Sequence, residues 1–178
     1  MVTKTTKIMV LLVLLLAGAC SQTPALNDLP LSSRKLNLED FFSGKTTAYG
    51  QFQDRFGKVR RRFIVEIQGD WDGKTLTLIE DFVYEDESVE QRIWALQKSG
   101  ANSWIGTAEG VEGTAYGEER NDTFNWTYSF NLKSKSGTIL VDFDDWMWLL
   151  TEKRLLNRAY VSKYGIKIGE IIIYFEKK

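Results

Sequence analysis

Beyond residue 44 apolar and polar positions alternate with a period of two over most of the chain, the pattern of half-buried strands. The cleanest run is 123–133, with Phe124, Trp126, Tyr128, Phe130 and Leu132 on one face and Asn125, Thr127, Ser129 and Asn131 on the other. The same alternation predicts strands over about 46–54, 59–69, 74–85, 90–98, 138–150, 155–163 and 166–176. In 59–69 it aligns Phe63, Val65 and Ile67; in 74–85 it aligns Leu76, Leu78, Phe82 and Tyr84, with Glu80 on that same inward face. The stretch 103–118 carries Gly106, Gly110, Gly113 and Gly117, which predicts a bent or bulged pair of strands. Turns fall at 55–58, at 69–73 with its Asp72-Gly73 hairpin signal, at 99–102, 121–122, 134–137 and around Gly165. One helical turn is predicted over 38–42, capped by Asn37 and acidic in its first turn at Glu39 and Asp40. Phe41 and Phe42 on that turn are placed to plug one end of the domain.

About ten short strands with regular turns and no long helix define an all-β chain, an antiparallel barrel or sandwich. A mainly up-and-down order, with the last strand closing on the first, leaves no exposed edge. A length of 178 residues suits one domain. At 43% hydrophobic and 13% aromatic, with six Trp, the chain has ample core material. The net charge of −1 offers nucleic acid no electrostatic footprint.

The first 19 residues have the layout of a secretory signal peptide. Lys4 and Lys7 precede an apolar run from Ile8 to Leu16, and small residues Ala17-Gly18-Ala19 lead to Cys20. The apolar run is too short to span a bilayer as a helix, which takes about 20 residues. A cysteine at the cleavage point resembles a bacterial lipobox, and Cys20 is the one cysteine of the chain. That resemblance implies lipidation of Cys20, cleavage before it, and a membrane partner reached through the acyl chains. Ser21 in place of an acidic residue implies the outer membrane, facing the periplasm. Both prolines lie within 20–35, which reads as a tether between the anchor and a barrel domain over 36–178.

The absence of histidine and of a second cysteine removes Ser-His and Cys-His nucleophile systems and the usual zinc ligand sets. No glycine-rich phosphate loop follows a strand, so no nucleotide or other cofactor is expected. A calcium site at Asp142, Asp144 and Asp145 is weakened by alternation, which splits 142 and 144 from 145, and no metal is expected. The richest polar stretch is 141–164, where Asp144 and Asp145 sit among Phe143, Trp146 and Trp148 and are followed by Asn157-Arg158. Buried carboxylates need partners, so these residues form either a structural ion pair or a polar cluster inside a pocket. Glu80, Arg92, Asp144 and Arg158 are the groups expected to point inward, with Arg92 able to meet Glu80. Asp145 and Asn157 join them as candidates, and Trp94, Trp126 and Trp146 are the candidate pocket aromatics. No residue is singled out as catalytic.

The ordered set Phe41-Phe42-Ser43-Gly44, Phe52-Gln53-Asp54-Arg55, Arg61-Arg62-Phe63, Glu80-Asp81-Phe82-Val83-Tyr84, Arg92-Ile93-Trp94, Phe143-Asp144-Asp145-Trp146-Met147 and Leu156-Asn157-Arg158-Ala159 resembles the Gram-negative lipoprotein family called domain of unknown function 3833. The resemblance covers roughly 36–178 and departs at 85–89, where the family has a short Gly-containing turn. It implies a lipid-anchored, lipocalin-like (calycin-type) barrel of about 8–10 strands and brings no established activity. The expected function is binding or carriage of a fatty acid or other lipid-derived ligand, its head group meeting Arg158, Arg92 or Asn157. Two alternatives stand beside it. One is a non-metal isomerase or hydrolase acting on a modified fatty acid, with Glu80 or Asp144 as acid or base. The other is a structural envelope lipoprotein with a filled barrel.

Overall fold

A computed structural model describes residues 23–28, 30, 32–134 and 137–178. The signal-peptide and Cys20 expectations lie outside the described residues. The folded part begins with a single helical turn, α1 (Leu38–Phe42). Ten strands follow: β1 (Gly44–Asp54), β2 (Val59–Trp71), β3 (Thr75–Tyr84), β4 (Val89–Lys98), β5 (Ser103–Ala108), β6 (Val111–Arg120), β7 (Thr123–Ser134), β8 (Gly137–Thr151), β9 (Arg154–Lys163) and β10 (Ile166–Lys177). Each strand pairs antiparallel with the next, and β10 returns to β1, so the sheet is a closed all-β barrel in up-and-down order. Closure leaves no free edge.

Up-and-down order puts the turns β2–β3, β4–β5, β6–β7 and β8–β9 at one end and the other five hairpin tips at the opposite end. The first end is shut by α1. Leu38, Phe41 and Phe42 are buried there, and the Phe42 ring meets Phe175 edge-on at 5.6 Å. Burial of one such ring stabilises the fold by about 1.5–3 kcal/mol. Asn37 does not cap the helix as expected: its side chain donates to Asp40 Oδ2 at 3.0 Å, and the backbone N–H of Leu38 instead donates to Glu119 Oε1 on β6 at 2.7 Å. A carboxylate from the wall thus fixes the plug to the barrel. Gly69 permits the close approach, since a Cβ there would sit 1.9 Å from the Phe42 carbonyl oxygen.

The four glycines of 103–118 resolve into two strands around a turn at 109–110, with a register irregularity between Glu112 and Tyr116. Gly117 faces inward beneath two rings: a Cβ would come within 2.3 Å of Trp126 and 2.5 Å of Phe124. With Gly106 beside it, this wall is thin enough for the aromatics of β7 to lie flat against it instead of reaching across the barrel.

Candidate functional site

The barrel interior is not filled. It encloses a cavity of about 690 Å³ that runs from Leu38, Phe42 and Phe175 at the plugged end to the hairpin tips around Val89, Gly110 and Lys133 at the other. That volume lies within the ~300–1,000 Å³ range of small-molecule sites. The wall is aromatic. Trp94 meets Trp126 at 5.7 Å and Tyr128 at 5.3 Å, both edge-on, and Tyr128 stacks on Phe143 at 4.8 Å. Trp94 and Trp126, both expected in a pocket, line the cavity.

The polar groups of the interior are arranged in levels. At the mouth, Arg61 lies 3.3 Å over the Tyr84 ring and donates to Ser88 Oγ at 3.0 Å. Tyr84 donates its hydroxyl to Glu90 Oε2 at 2.9 Å, and Arg92 pairs with Glu90 Oε1 at 3.2 Å. The Arg92 guanidinium is also held between the rings of Phe82, at 5.1 Å, and Phe130, at 4.9 Å, a favourable cation–π setting. Glu80 stands opposite Arg92 in the β3–β4 register. The expected contact between them is a through-space attraction, because the hydrogen bond of Arg92 goes to Glu90.

Midway down, Glu80, Tyr128 and Asp145 face the same space. Asp145 accepts a hydrogen bond from Asn157 Nδ2, which also donates to the Trp146 carbonyl at 3.0 Å. Asn157 is 1% exposed, and its Oδ1 has no partner among the described residues. Among the described residues Glu80 receives no hydrogen bond; the surface it keeps faces the cavity rather than bulk water. Burial pushes its carboxyl up to about 7, with Arg92 pulling it down and Glu90 pushing it further up. Burial likewise pushes Asp145 up to about 7; Asn157 opposes the shift, and Asp144 and Glu80 add to it. Desolvation is the dominant cause in both, the ordinary consequence of placing a carboxylate in an apolar enclosure. The Tyr128 hydroxyl is pushed up as well, first by burial and then by Asp145.

Three residues expected at the site lie on the outside of the barrel. Side chains of one strand alternate between faces, and on β8 it is Phe143, Asp145 and Met147 that line the cavity. Asp144 therefore faces outward, where it accepts a hydrogen bond from Asn125 Nδ2 at 2.8 Å. Trp146 also faces outward and stacks on Trp148 at 6.4 Å; its burial belongs to the outer face. Arg158 shares its face of β9 with Leu156 and Tyr160, pairs with Glu170 at 2.8 Å, and cannot serve a ligand in the interior. Tyr128 and Glu90 were not singled out from the sequence. Tyr128 shares the parity of Trp126, and Glu90 that of Arg92, so the alternation carried both signals. Among the described residues no group of three His, Cys, Asp or Glu is placed to hold a metal ion.

The model of the family described as "Protein of unknown function (DUF3833)" matches residues 13–177. No curated protein matches the chain. Among solved structures, the S-type phycobiliprotein lyase CPES of Guillardia theta is similar with a TM-score of 0.59 and 9% identity, over 80% of this chain and 93% of that one. A second, described as EF1p2_mFAP2b bound to DFHBI, matches with a TM-score of 0.41 and 6% identity, over 80% of this chain and all of that one. The first likeness places the fold among lipocalin-like barrels.

Proposed function

The chain belongs to the DUF3833 family of proteins of unknown function, and we propose that it binds one hydrophobic, lipid-derived small molecule inside its barrel. The observation that carries this reading is the cavity: about 690 Å³, shut by α1 at one end, open among hairpin tips at the other, and walled by aromatic rings with a few convergent polar groups. A structural barrel would gain more from filling that space, since packed side chains stabilise and voids do not. The similar phycobiliprotein lyase shares the barrel architecture on which this reading is built.

Trp94 and Trp126 on the wall provide the test. Titration with decan-1-ol, an uncharged probe, should change tryptophan fluorescence saturably with one equivalent bound. A strictly linear, non-saturating response overturns the reading.

The second part of the proposal is the address. Cys20 and the preceding apolar run support a lipoprotein anchored in the outer membrane and facing the periplasm. Cys20→Ser should move the protein from the membrane to the soluble fraction, and unchanged partition refutes the anchor.

One observation favours a second reading, proton transfer on the bound molecule. Glu80 is a carboxyl pushed to about 7 and left without a hydrogen-bond partner among the described residues, the condition expected of a general acid or base working near neutrality. Incubation in deuterated water would then introduce deuterium into a co-purified ligand, and Glu80→Gln would abolish the exchange. No exchange in the parent protein removes this reading.

A further inference from the structure

The cations that line the cavity are already matched, while its deeper acceptors are only partly so. Arg92 is paired with Glu90 and held between two phenyl rings, and Arg61 lies on Tyr84 at the mouth. Lys133 is at the rim and 88% exposed. Below them the enclosure holds two carboxyls, Asp145 with a single donor in Asn157 and Glu80 with none among the described residues, and the buried amide oxygen of Asn157, also without a partner among the described residues. Asn157 Nδ2 serves Asp145, and the Tyr128 hydroxyl faces the same level. A buried acceptor without a donor costs roughly 1–3 kcal/mol, so this level of the barrel is complementary to a guest that brings donors.

We propose that the barrel takes an amphiphile whose head is a positively charged, hydrogen-bond-donating nitrogen group, seated head-first between Glu80 and Asp145. The inference rests on the ligand-binding reading and narrows it to a chemical class. The wall suits such a head a second time: the rings of Trp94, Trp126 and Tyr128 surround the same level, and aromatic faces attract cations. The tail then runs toward the mouth along Phe82, Phe130 and Phe143. An anionic head would instead meet two acids and find Arg92 already engaged.

The charge preference is also set by pH. Glu80 and Asp145 are faced by Arg92 and Glu90 from β4 and by Tyr128 from β7, and Asp144 acts on Asp145 from the outer face of β8. With both carboxyls pushed to about 7, they are ionised at pH 8 and protonated at pH 5. A cationic head is therefore held more tightly at the higher pH.

The test compares decylammonium with decanoate by tryptophan fluorescence on the full folded protein, with decan-1-ol as the uncharged reference. The expected result is decylammonium binding at least about tenfold more tightly than decanoate at pH 8, a difference of about 1.4 kcal/mol. The preference should shrink at pH 5 and be lost in Glu80→Gln combined with Asp145→Asn. The conservative single variant Glu80→Gln, with a thermal melt to verify folding, should lose part of it. Equal binding of the two ions at pH 8, a preference for decanoate, or a preference unchanged in Glu80→Gln overturns the proposal. If decan-1-ol binds in those cases, the ligand-binding reading survives; if none of the three probes binds, both fall.

Discussion

Replacing Glu80 by Gln keeps shape and volume and removes one ionisation from the barrel interior. In the fold this carboxyl is pushed from 4.5 to about 7, chiefly by burial. At about 1.4 kcal/mol per pH unit, ionising it inside the barrel costs about 3 kcal/mol more than in the unfolded chain. The sign follows from proton counting. Below about pH 4.5 Glu80 is protonated in both states and the parent loses nothing. Between about 4.5 and 7 the unfolded chain releases the proton while the folded chain keeps it, so stability falls as pH rises. Above 7 the full loss is present. Asp145, also pushed to about 7 chiefly by burial, contributes a parallel fall that remains in the variant, lessened by the loss of the Glu80 charge that adds to its shift. Water in the cavity softens the penalty, so Glu80→Gln should be about 1–3 kcal/mol more stable than the parent at pH 8. At pH 4 the two should be equal. Urea denaturation at both pH values, analysed as a two-state transition, measures this. An equal or lower midpoint for the variant at pH 8 would refute the claim that Glu80 is held in an apolar enclosure.

Three further outcomes follow from particular contacts. Gly69→Ala drives a methyl against the Phe42 carbonyl and should destabilise the fold by about 1–3 kcal/mol while loosening α1; hydrogen exchange at Phe41 and Ser43 reads the loosening. Ala159, buried in register beside Asp145 and Ile171 and lining the cavity, can be enlarged: Ala159→Phe should lower decan-1-ol affinity by about tenfold or more, or about 1.4 kcal/mol, with the circular dichroism of the barrel retained. Arg158→Ala removes outer-face contacts alone, the pair with Glu170 and the contact over the Tyr160 ring, so decan-1-ol affinity should not change and stability should move by at most about 1 kcal/mol.

The barrel was legible because its strands declare themselves locally. The run 123–133 alternates without interruption, and the position of Glu80 between Leu78 and Phe82 fixes its direction by parity alone. The helical plug was legible too, from two adjacent phenylalanines and the acids before them, though not the carboxylate that caps it in place of Asn37. Glu119 comes from 81 residues away, a distance no local pattern spans. Parity failed on β8 for a physical reason. Both faces of that strand carry large aromatics, Phe143 inside and Trp146 with Trp148 outside, so apolar neighbours did not say which acid was inward. Arg158 lies outside because Leu155, Asn157, Ala159 and Val161 take the inner face of β9; the need of the acids 142, 144 and 145 for a cation argues the other way and does not decide its direction. The cavity itself had no signal in the sequence. Its volume depends on how the rings of Phe124 and Trp126 fold back over Gly117, which is a matter of packing across strands rather than of order along them.

The central claim is that this barrel is a container. Native mass spectrometry of the protein purified from its own envelope under mild detergent tests it most directly. The account predicts a species heavier than the polypeptide by one small amphiphile, released by organic solvent and reduced in Ala159→Phe. A single ligand-free mass from the parent protein, unchanged after incubation with decan-1-ol, would contradict it.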